Sequence, residues 1–166
     1  MKIIGRFPST RLRRVRNSNW IRRLISENNL SSNDLILPVF LIEGKNKVER
    51  IYNMPGIYRY TIDNLSKILD ETSRYKIPMV ALFPCTPNKK KDENGIGTLN
   101  ENYLICKAIK FIKKKYKSFG VVTDVALDPY TSHGHDGIIK NGKIDNDETI
   151  KILQKQSILQ AEIGAD

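Results

Sequence analysis

The feature that most constrains the fold is a repeated pair of patterns, in which a short apolar run is followed by an amphipathic stretch with helical spacing. The apolar runs begin near Leu35, Met79 and Val121, so successive starts lie 44 and 42 residues apart. Strands that alternate with helices at more than about 30 residues per unit predict parallel βαβ crossovers. The sequence therefore predicts an α/β fold, either a doubly wound sheet or a (β/α)8 barrel.

The three predicted strands differ in their sequence signals. Leu35–Ile42 contains Pro38, which removes a ladder hydrogen bond, so we expect this strand to bulge or to begin late. Ile77–Phe83 is a short apolar run that ends at a proline. Val121–Leu127 is β-branched and apolar, which is typical of a buried parallel strand.

The helices are predicted from apolar residues at three- and four-residue spacing. The first begins near Thr61 or Asp63, either of which is a plausible N-cap; the third follows Asn146, with Asp147 and Glu148 in its first turn, and ends at Gly164. The second carries many lysines around an apolar stripe that runs from Ile105. These lysines favour a solvated helix face over a nucleic-acid patch, because the apolar stripe alone accounts for the helix.

A chain of 166 residues holds only three such units. A barrel of eight units at this spacing needs about 340 residues, and small barrels have about 250. We therefore expect a fragment, with residues 1–33 as an N-terminal arm and residues 34–166 as the first half of a barrel. We expect it to be inactive alone, because three units cannot close a barrel and leave a sheet edge unpaired.

Residues 1–30 contribute +7 of the net charge of +10. Such an arm can grip phosphates or a membrane surface, act as a transit peptide, or pack on protein. Trp20 lies on a small apolar helical face, which favours packing on protein within or between chains. No apolar run approaches the ~18 residues of a membrane span. Two distant cysteines favour reduced thiols in the cytoplasm and support neither a disulfide scaffold nor a cysteine zinc site.

The loop after the third strand is the densest in chemistry. It holds both histidines of the chain and three carboxylates within thirteen residues. This pattern indicates either a metal site or an acid/base cluster, and a glycine-rich turn with local hydrogen bonds is the simpler alternative. The residues of this loop singled out as candidates are Asp124, Asp128, Tyr130, Ser132, His133, His135 and Asp136.

The loop after the second strand is expected to lie on the same face. It contains Lys89–Glu93, for which a mobile charged loop is the favoured interpretation. Cys85 ends the strand before it, and without a paired base it is predicted to be a buried thiol rather than a nucleophile.

Four segments together resemble the porphobilinogen synthase family, also called 5-aminolevulinate dehydratases. They are Asp124–Gly137, Met54–Tyr60, Ala81–Pro84 and Arg11–Arg14, and the resemblance runs from the arm to the last residue. It implies a partial TIM barrel and a lyase that condenses two 5-aminolevulinate molecules to porphobilinogen in heme biosynthesis. It also implies an arm that wraps a neighbouring subunit of a homo-octamer or a smaller assembly, a hexamer or dimer, through Arg11, Arg13, Arg14 and Trp20.

The resemblance also implies roles for the acidic loop. Asp124 matches an active-site aspartate, and the two lysines that form Schiff bases with substrate lie beyond Asp166. Zinc-using members carry cysteines where this chain has Ala126, Asp128 and Asp136, so the chain resembles an aspartate-rich, zinc-independent subgroup.

The carboxylates of Asp128 and Asp136 suit Mg²⁺ or a monovalent cation, or meet the substrate's ammonium directly. Tyr130, Ser132, His133 and His135 are expected to fix the loop rather than to act as ligands. No organic cofactor, nucleic acid or membrane partner is implied.

Two other functions stay open on the residues alone. The basic arm and the lysine-rich helix can hold RNA or DNA, which predicts strongly salt-dependent binding. A metal-dependent TIM-barrel hydrolase can use His133 and His135, but it needs further ligands on other strand ends.

Overall fold

The structure is a computed structural model that describes residues 5–10 and 12–166. Contacts divide the chain into two compact units, with the boundary between Ser31 and Ser32. The first unit contains a 3₁₀ turn, Arg14–Arg16, and a short helix α1, Asn19–Leu24. The side chain of Trp20 on α1 is 66% exposed. Arg11, one of the predicted contact residues of the arm, lies outside the described residues.

The second unit is built on a five-stranded sheet. Its strand order is β2-β3-β1-β4-β5, with β2 antiparallel to β3 and all other pairs parallel. The strands are β1 (Ile36–Ile42), β2 (Val48–Arg50), β3 (Tyr58–Tyr60), β4 (Met79–Cys85) and β5 (Gly120–Thr123). A separate antiparallel hairpin follows, formed by β6 (Ile138–Lys140) and β7 (Lys143–Asp145).

Three helices belong to this unit, and they follow the order predicted from the sequence. They are α2 (Leu65–Arg74), α3 (Leu104–Lys115) and α4 (Asn146–Ile163). Asp147 and Glu148 lie in the first turn of α4 as predicted, whereas its N-cap, Asp145, was not predicted; Oδ1 of Asp145 accepts the backbone N–H of Glu148 at 3.1 Å. Gly164 ends the helix in the left-handed conformation, with φ of 116°. None of the helices among the described residues is both long and apolar enough to cross a membrane.

The hydrophobic core lies between one face of the sheet and the helices. Val39 and Leu41 of β1 and Leu82 of β4 contribute fully buried side chains from the sheet. Leu69 of α2 and Ile109 of α3 belong to the same buried cluster. Lys107, Lys110 and Lys114 on the outer side of α3 are exposed, as the solvated-face interpretation predicts.

The opposite face of the sheet is less covered within this chain. Ile36, Phe83 and Val122 lie on it and are 52%, 37% and 38% exposed. Parallel sheets normally bury both faces, so the exposure of these apolar side chains is unusual for such a sheet.

Several local predictions were wrong. The strand β1 does not bulge at Pro38, which pairs in regular register with Ala81, and pairing of β1 with β3 begins only at Phe40. The third strand ends at Thr123 rather than at Leu127.

The predicted N-cap of the first helix was also wrong. Neither Thr61 nor Asp63 caps α2, because Thr61 Oγ1 donates to the carbonyl of Lys47 and Asp63 accepts the N–H of Asn46 at 2.7 Å. A 3₁₀ turn, Ile62–Asn64, precedes the helix instead.

Two short pairings were not predicted. Strands β2 and β3 contain three residues each, which is too short for a periodic signal. The β6–β7 hairpin turns at Asn141-Gly142, where both residues have positive φ, and this dipeptide is a strong hairpin signal that could have been used.

Candidate active site

Four side chains form one row across the carboxyl ends of the parallel strands. Arg59 of β3 pairs with Phe40 of β1, and Phe40 pairs with Phe83 of β4. Leu82 pairs with Thr123, so Asp124, the first residue after β5, lies level with Phe83. Because side chains opposite each other in register point to the same face, the row carries a cation at one end, an anion at the other and two aromatic rings between them.

The row lines a cleft of about 330 Å³. The rings of Phe40 and Phe83 form its apolar floor, with centroids 5.6 Å apart. Asp128, Tyr130 and Lys91 also line it. Ligand sites in open parallel sheets lie outside the carboxyl ends of the strands, which is where this cleft opens.

The structure brings the predicted acidic residues together. Asp124, Asp128 and Asp136 line a second cavity, of about 450 Å³, and Ala126 lines it too. The backbone N–H of Asp128 donates to Oδ1 of Asp136 at 3.4 Å. Burial raises the pKa of Asp128 above its ordinary value, and the neighbouring carboxylates of Asp136 and Asp124 raise it further.

The lysine-rich loop after β4 is tied to the acidic loop. Asp92 forms an isolated parallel bridge with Thr131, and its carbonyl accepts the N–H of Ser132 at 2.9 Å. Nζ of Lys91 donates to the carbonyl of Asp128 at 3.2 Å. These contacts join the two loops on one side of the cleft, whereas the sequence favoured a mobile segment.

His133 fixes the loop by using both ring nitrogens. Its Nδ1 accepts the backbone N–H of His135 at 3.1 Å, so the ring proton lies on Nε2, which donates to the carbonyl of Glu93 at 3.1 Å. The two histidine rings have centroids 5.6 Å apart. A ring with both nitrogens engaged in this way has no lone pair free for a metal, which favours the loop-fixing role over the hydrolase alternative.

Tyr130 and Ser132 differ in position. Tyr130 is almost fully buried and contacts Tyr103 with ring centroids 6.0 Å apart. Burial raises the pKa of its phenol far above the ordinary value, which disfavours any role for Tyr130 as a phenolate base. Ser132 is exposed and holds the loop through its backbone.

Cys85 is exposed and lines the cleft, so its predicted burial was wrong. It lies on the less covered face of the sheet, two residues after Phe83. Cys106 on α3 is the buried thiol, and burial raises its pKa.

Other residues of the site were missed by sequence reasoning. Arg59 and Phe40 become visible only through the register of β3 with β1. Gln156 and Gln160 of α4 hydrogen-bond to the backbone after β5. Glutamines four residues apart can indicate a buried polar contact when apolar residues show which side of the helix faces the core. In α4 the apolar residues mark that side only weakly, so the sequence did not indicate that these glutamines are buried.

The second cavity offers few side chains that could coordinate a metal ion. In residues 5–10 and 12–166 no group of three or more His, Cys, Asp and Glu side chains is arranged to hold one. Asp128 and Asp136 offer two hard carboxylate oxygen donors without a thiolate partner. This donor set fits Mg²⁺ or a monovalent cation that keeps much of its water, and it does not fit a thiolate zinc site.

The fold and the cleft define an α/β protein with a mostly parallel sheet, whose candidate site lies in the loops after the strands. Within that class, the chain belongs to the delta-aminolevulinic acid dehydratase family, whose model matches residues 9–166.

Individual relatives agree with this assignment. A delta-aminolevulinic acid dehydratase of Bradyrhizobium diazoefficiens is 47% identical over 156 residues, which cover 94% of this chain and 44% of the relative. One of Chlamydia pneumoniae is 41% identical over 158 residues, covering 95% of this chain and 48% of the relative. The chain therefore spans about half the length of these relatives.

A solved structure is similar along nearly the whole chain. It is delta-aminolevulinic acid dehydratase (porphobilinogen synthase) from Toxoplasma gondii ME49 in complex with the reaction product porphobilinogen. The TM-score is 0.89 at 36% identity, covering 95% of this chain and 45% of that one.

Proposed function

We propose that these residues form part of a porphobilinogen synthase. The reaction joins two 5-aminolevulinate molecules through one new carbon–carbon and one new carbon–nitrogen bond, and it releases two waters and porphobilinogen for heme biosynthesis. The observation that carries the proposal is the row from Arg59 to Asp124 at the mouth of the parallel strands. The similarity of the chain to a protein solved with porphobilinogen supplies the substrate class.

The chemistry of the cleft suits this substrate. 5-Aminolevulinate carries a carboxylate and an ammonium on a short carbon chain, and the row carries a guanidinium, an apolar floor and a carboxylate. In the proposal, Asp124 orients the substrate amine and accepts or returns a proton during condensation. Phe40 and Phe83 exclude water below the substrate's methylene groups.

The residues that form Schiff bases with substrate are proposed to be two lysines outside residues 1–166. Lys91 reaches the cleft, but its amine donates to the carbonyl of Asp128. We therefore assign it to loop positioning and to the electrostatics of the cleft rather than to attack on a substrate carbonyl.

Asp128 and Asp136 are proposed to face a cation or the substrate's ammonium. They would hold Mg²⁺ or a monovalent cation, which would neutralise the two carboxylates and orient bound substrate. The proposal places the chain in the zinc-independent subgroup, because Ala126, Asp128 and Asp136 line one cavity without a thiol. It includes no organic cofactor.

The described sheet is proposed to be the first part of a TIM barrel. Its less covered face, with Ile36, Phe83 and Val122, would become the barrel interior. The N–H of Asp166 donates to the carbonyl of Val121 at 2.9 Å, which is the position for a further strand beside β5.

The proposal extends to assembly and location. The arm, with Arg13, Arg14 and the exposed Trp20, would contact another subunit of a homo-octamer, hexamer or dimer. Two free cysteines support a reducing compartment, for which we propose the cytoplasm.

The test is a porphobilinogen assay on the product of the complete reading frame that contains these residues. The protein is treated with EDTA, and Mg²⁺, K⁺ and Zn²⁺ are then supplied separately. We expect activity that Mg²⁺ or K⁺ restores without Zn²⁺, and none from residues 1–166 alone. Asp124→Asn should lower kcat at least about 100-fold, whereas Asp147→Asn, on the exposed first turn of α4, should not.

The other outcomes are informative. Strict zinc dependence would keep the activity but overturn the roles of Asp128 and Asp136. No activity under any condition would overturn the proposed function and return attention to nucleic-acid binding by the arm.

A further inference from the structure

Helix α4 directs two buried glutamines at the backbone that follows β5. Gln156 and Gln160 are 0% and 2% exposed, although the helix carries exposed polar residues elsewhere. Residues four apart lie on the same face of a helix, so both amides point toward the same segment. That segment is residues 123–126, from which Asp124 faces the cleft.

Each amide holds a specific backbone or side-chain group. Oε1 of Gln160 accepts the hydroxyl of Thr123 at 2.8 Å, and its Nε2 donates to the carbonyl of Asp124 at 3.3 Å. Nε2 of Gln156 donates to the carbonyl of Ala126 at 3.1 Å. The two carbonyls lie just past the end of β5, so side-chain amides donate to them where the hydrogen bonds between strands end.

Only one of the two polar atoms of the Gln156 amide has a partner in the part of the chain that the structure describes. Its Oε1 is buried and finds no hydrogen-bond donor among the described residues. A buried acceptor without a partner is unfavourable, and an apolar side chain of similar length would avoid that cost but would leave the carbonyl of Ala126 without its donor. The value of this glutamine therefore lies in the group that its Nε2 holds.

We propose that Gln156 and Gln160 are positioning residues that fix the backbone of residues 123–126 and thereby aim Asp124 into the cleft. The inference rests on the proposed function for its catalytic consequence. The two amides act at both ends of the same short segment, so the Asp124 carboxylate is held by contacts on either side of it. Small displacements of a reacting group can lower a rate by about 100-fold.

The test uses the product of the complete reading frame with Gln160→Met and Gln156→Met. Each substitution keeps the side-chain length and removes the hydrogen bonds. The matched control is Gln154→Met, an exposed position on the same helix. We expect kcat to fall about tenfold or more with KM changed less than about threefold. The thermal midpoint of Gln156→Met should fall only slightly, because the carbonyl of Ala126 loses its donor while the unpaired Oε1 is also removed. The fall in kcat at nearly constant KM is therefore the readout that a purely structural role would not produce.

A conservative pair guards against misfolded variants. Thr123→Ser keeps the hydroxyl that donates to Gln160, and Thr123→Val removes it. We expect near-normal kcat for Thr123→Ser and a lowered kcat for Thr123→Val. Combining Thr123→Val with Gln160→Met should lower kcat by less than the product of the single effects, because both break the same contact.

Hydrogen–deuterium exchange separates this inference from the proposed function. Amides of residues 124–130 should exchange about tenfold faster in Gln160→Met than in the control, with β1 and β4 unchanged. Faster exchange in a protein without porphobilinogen synthase activity would support the backbone contacts of the two glutamines and reject the proposed function. Unchanged exchange, or faster exchange with normal kcat, would overturn the positioning role.

Discussion

The backbone N–H of Asp128 donates to Oδ1 of Asp136 at 3.4 Å, so the loop that follows β5 holds the carboxylate of Asp136 beside Asp128. Asp124 lines the same cavity. Three carboxylates around one cavity attract cations and disfavour simultaneous ionisation. The pKa of Asp128 is therefore raised, with burial as the largest cause and Asp136 as the next, while Lys91 opposes them.

We predict that Asp136→Asn lowers the pKa of Asp128. The substitution removes one negative charge, so ionised Asp128 is less disfavoured, although burial keeps its pKa above the ordinary value. Any cation binding that needs the Asp128 carboxylate should then have its acid-side midpoint at lower pH. Carboxyl-carbon NMR titration of the full-length protein measures this shift. Asp147→Asn, on the first turn of α4, is the control. A shift of the Asp128 pKa in this control as large as in Asp136→Asn would contradict the prediction.

A second prediction concerns Ala126, Asp128 and Asp136, the three positions at which the family resemblance leads us to expect cysteines in zinc-using members. Ala126, Asp128 and Asp136 line one cavity, so replacing all three with cysteine should create a thiolate site. We expect Co²⁺ to bind the triple variant with an intense sulfur-to-metal charge-transfer band that Zn²⁺ abolishes. The unaltered chain should show no such band. The variant Ala126→Cys alone should bind at least about tenfold more weakly, since one thiolate does not complete a zinc site. A triple variant without the band would show that the three side chains do not converge.

The sequence predicted the helix-covered half of the fold well, for physical reasons. The stripe around Ile109 and the acidic first turn and glycine end of α4 depend on local spacing and local charge, which the sequence contains directly. The acidic loop was also found, because Asp124, Asp128 and Asp136 are close in sequence and close in space.

The errors arise where distant segments meet. The strand β5 is shorter than its apolar run because the carbonyls of Asp124 and Ala126 accept from Gln160 and Gln156 of α4, which lie at least 30 residues further along the chain. Arg59 joins the site only because β3 pairs in parallel with β1, which puts Arg59 level with Phe40. The exposure of Cys85 follows from the face of β4 on which it lies, and an apolar run does not reveal which face is covered.

Cys85 provides a third prediction, because it is an exposed thiol within the cleft. A thiol reagent should modify it at least about 100-fold faster than Cys106, whose pKa is raised by burial. Ligands that occupy the cleft, such as 5-aminolevulinate, should slow the reaction at Cys85. Mass spectrometry of the full-length protein identifies the modified residue, and Cys85→Ser should abolish the fast phase. Equal rates at the two thiols would contradict the placement of Cys85 at the open mouth of the cleft.

The last prediction distinguishes the two histidines. His133 uses Nδ1 and Nε2 to join the segments at His135 and Glu93, whereas His135 contributes its backbone to the loop. His133→Leu should therefore lower the free energy of unfolding by about 1–2 kcal/mol, since two hydrogen bonds are lost, and His135→Leu should lower it by less than about 0.5 kcal/mol. Denaturant unfolding of the full-length protein measures both.

If the two histidines were metal ligands instead, both substitutions would weaken metal binding to a similar extent, and calorimetric titration with Mg²⁺ and Zn²⁺ would reveal it. Because the lone pair of Nδ1 in His133 is already engaged by a backbone N–H, we expect Mg²⁺ affinity to be the same in both variants and in the unaltered protein.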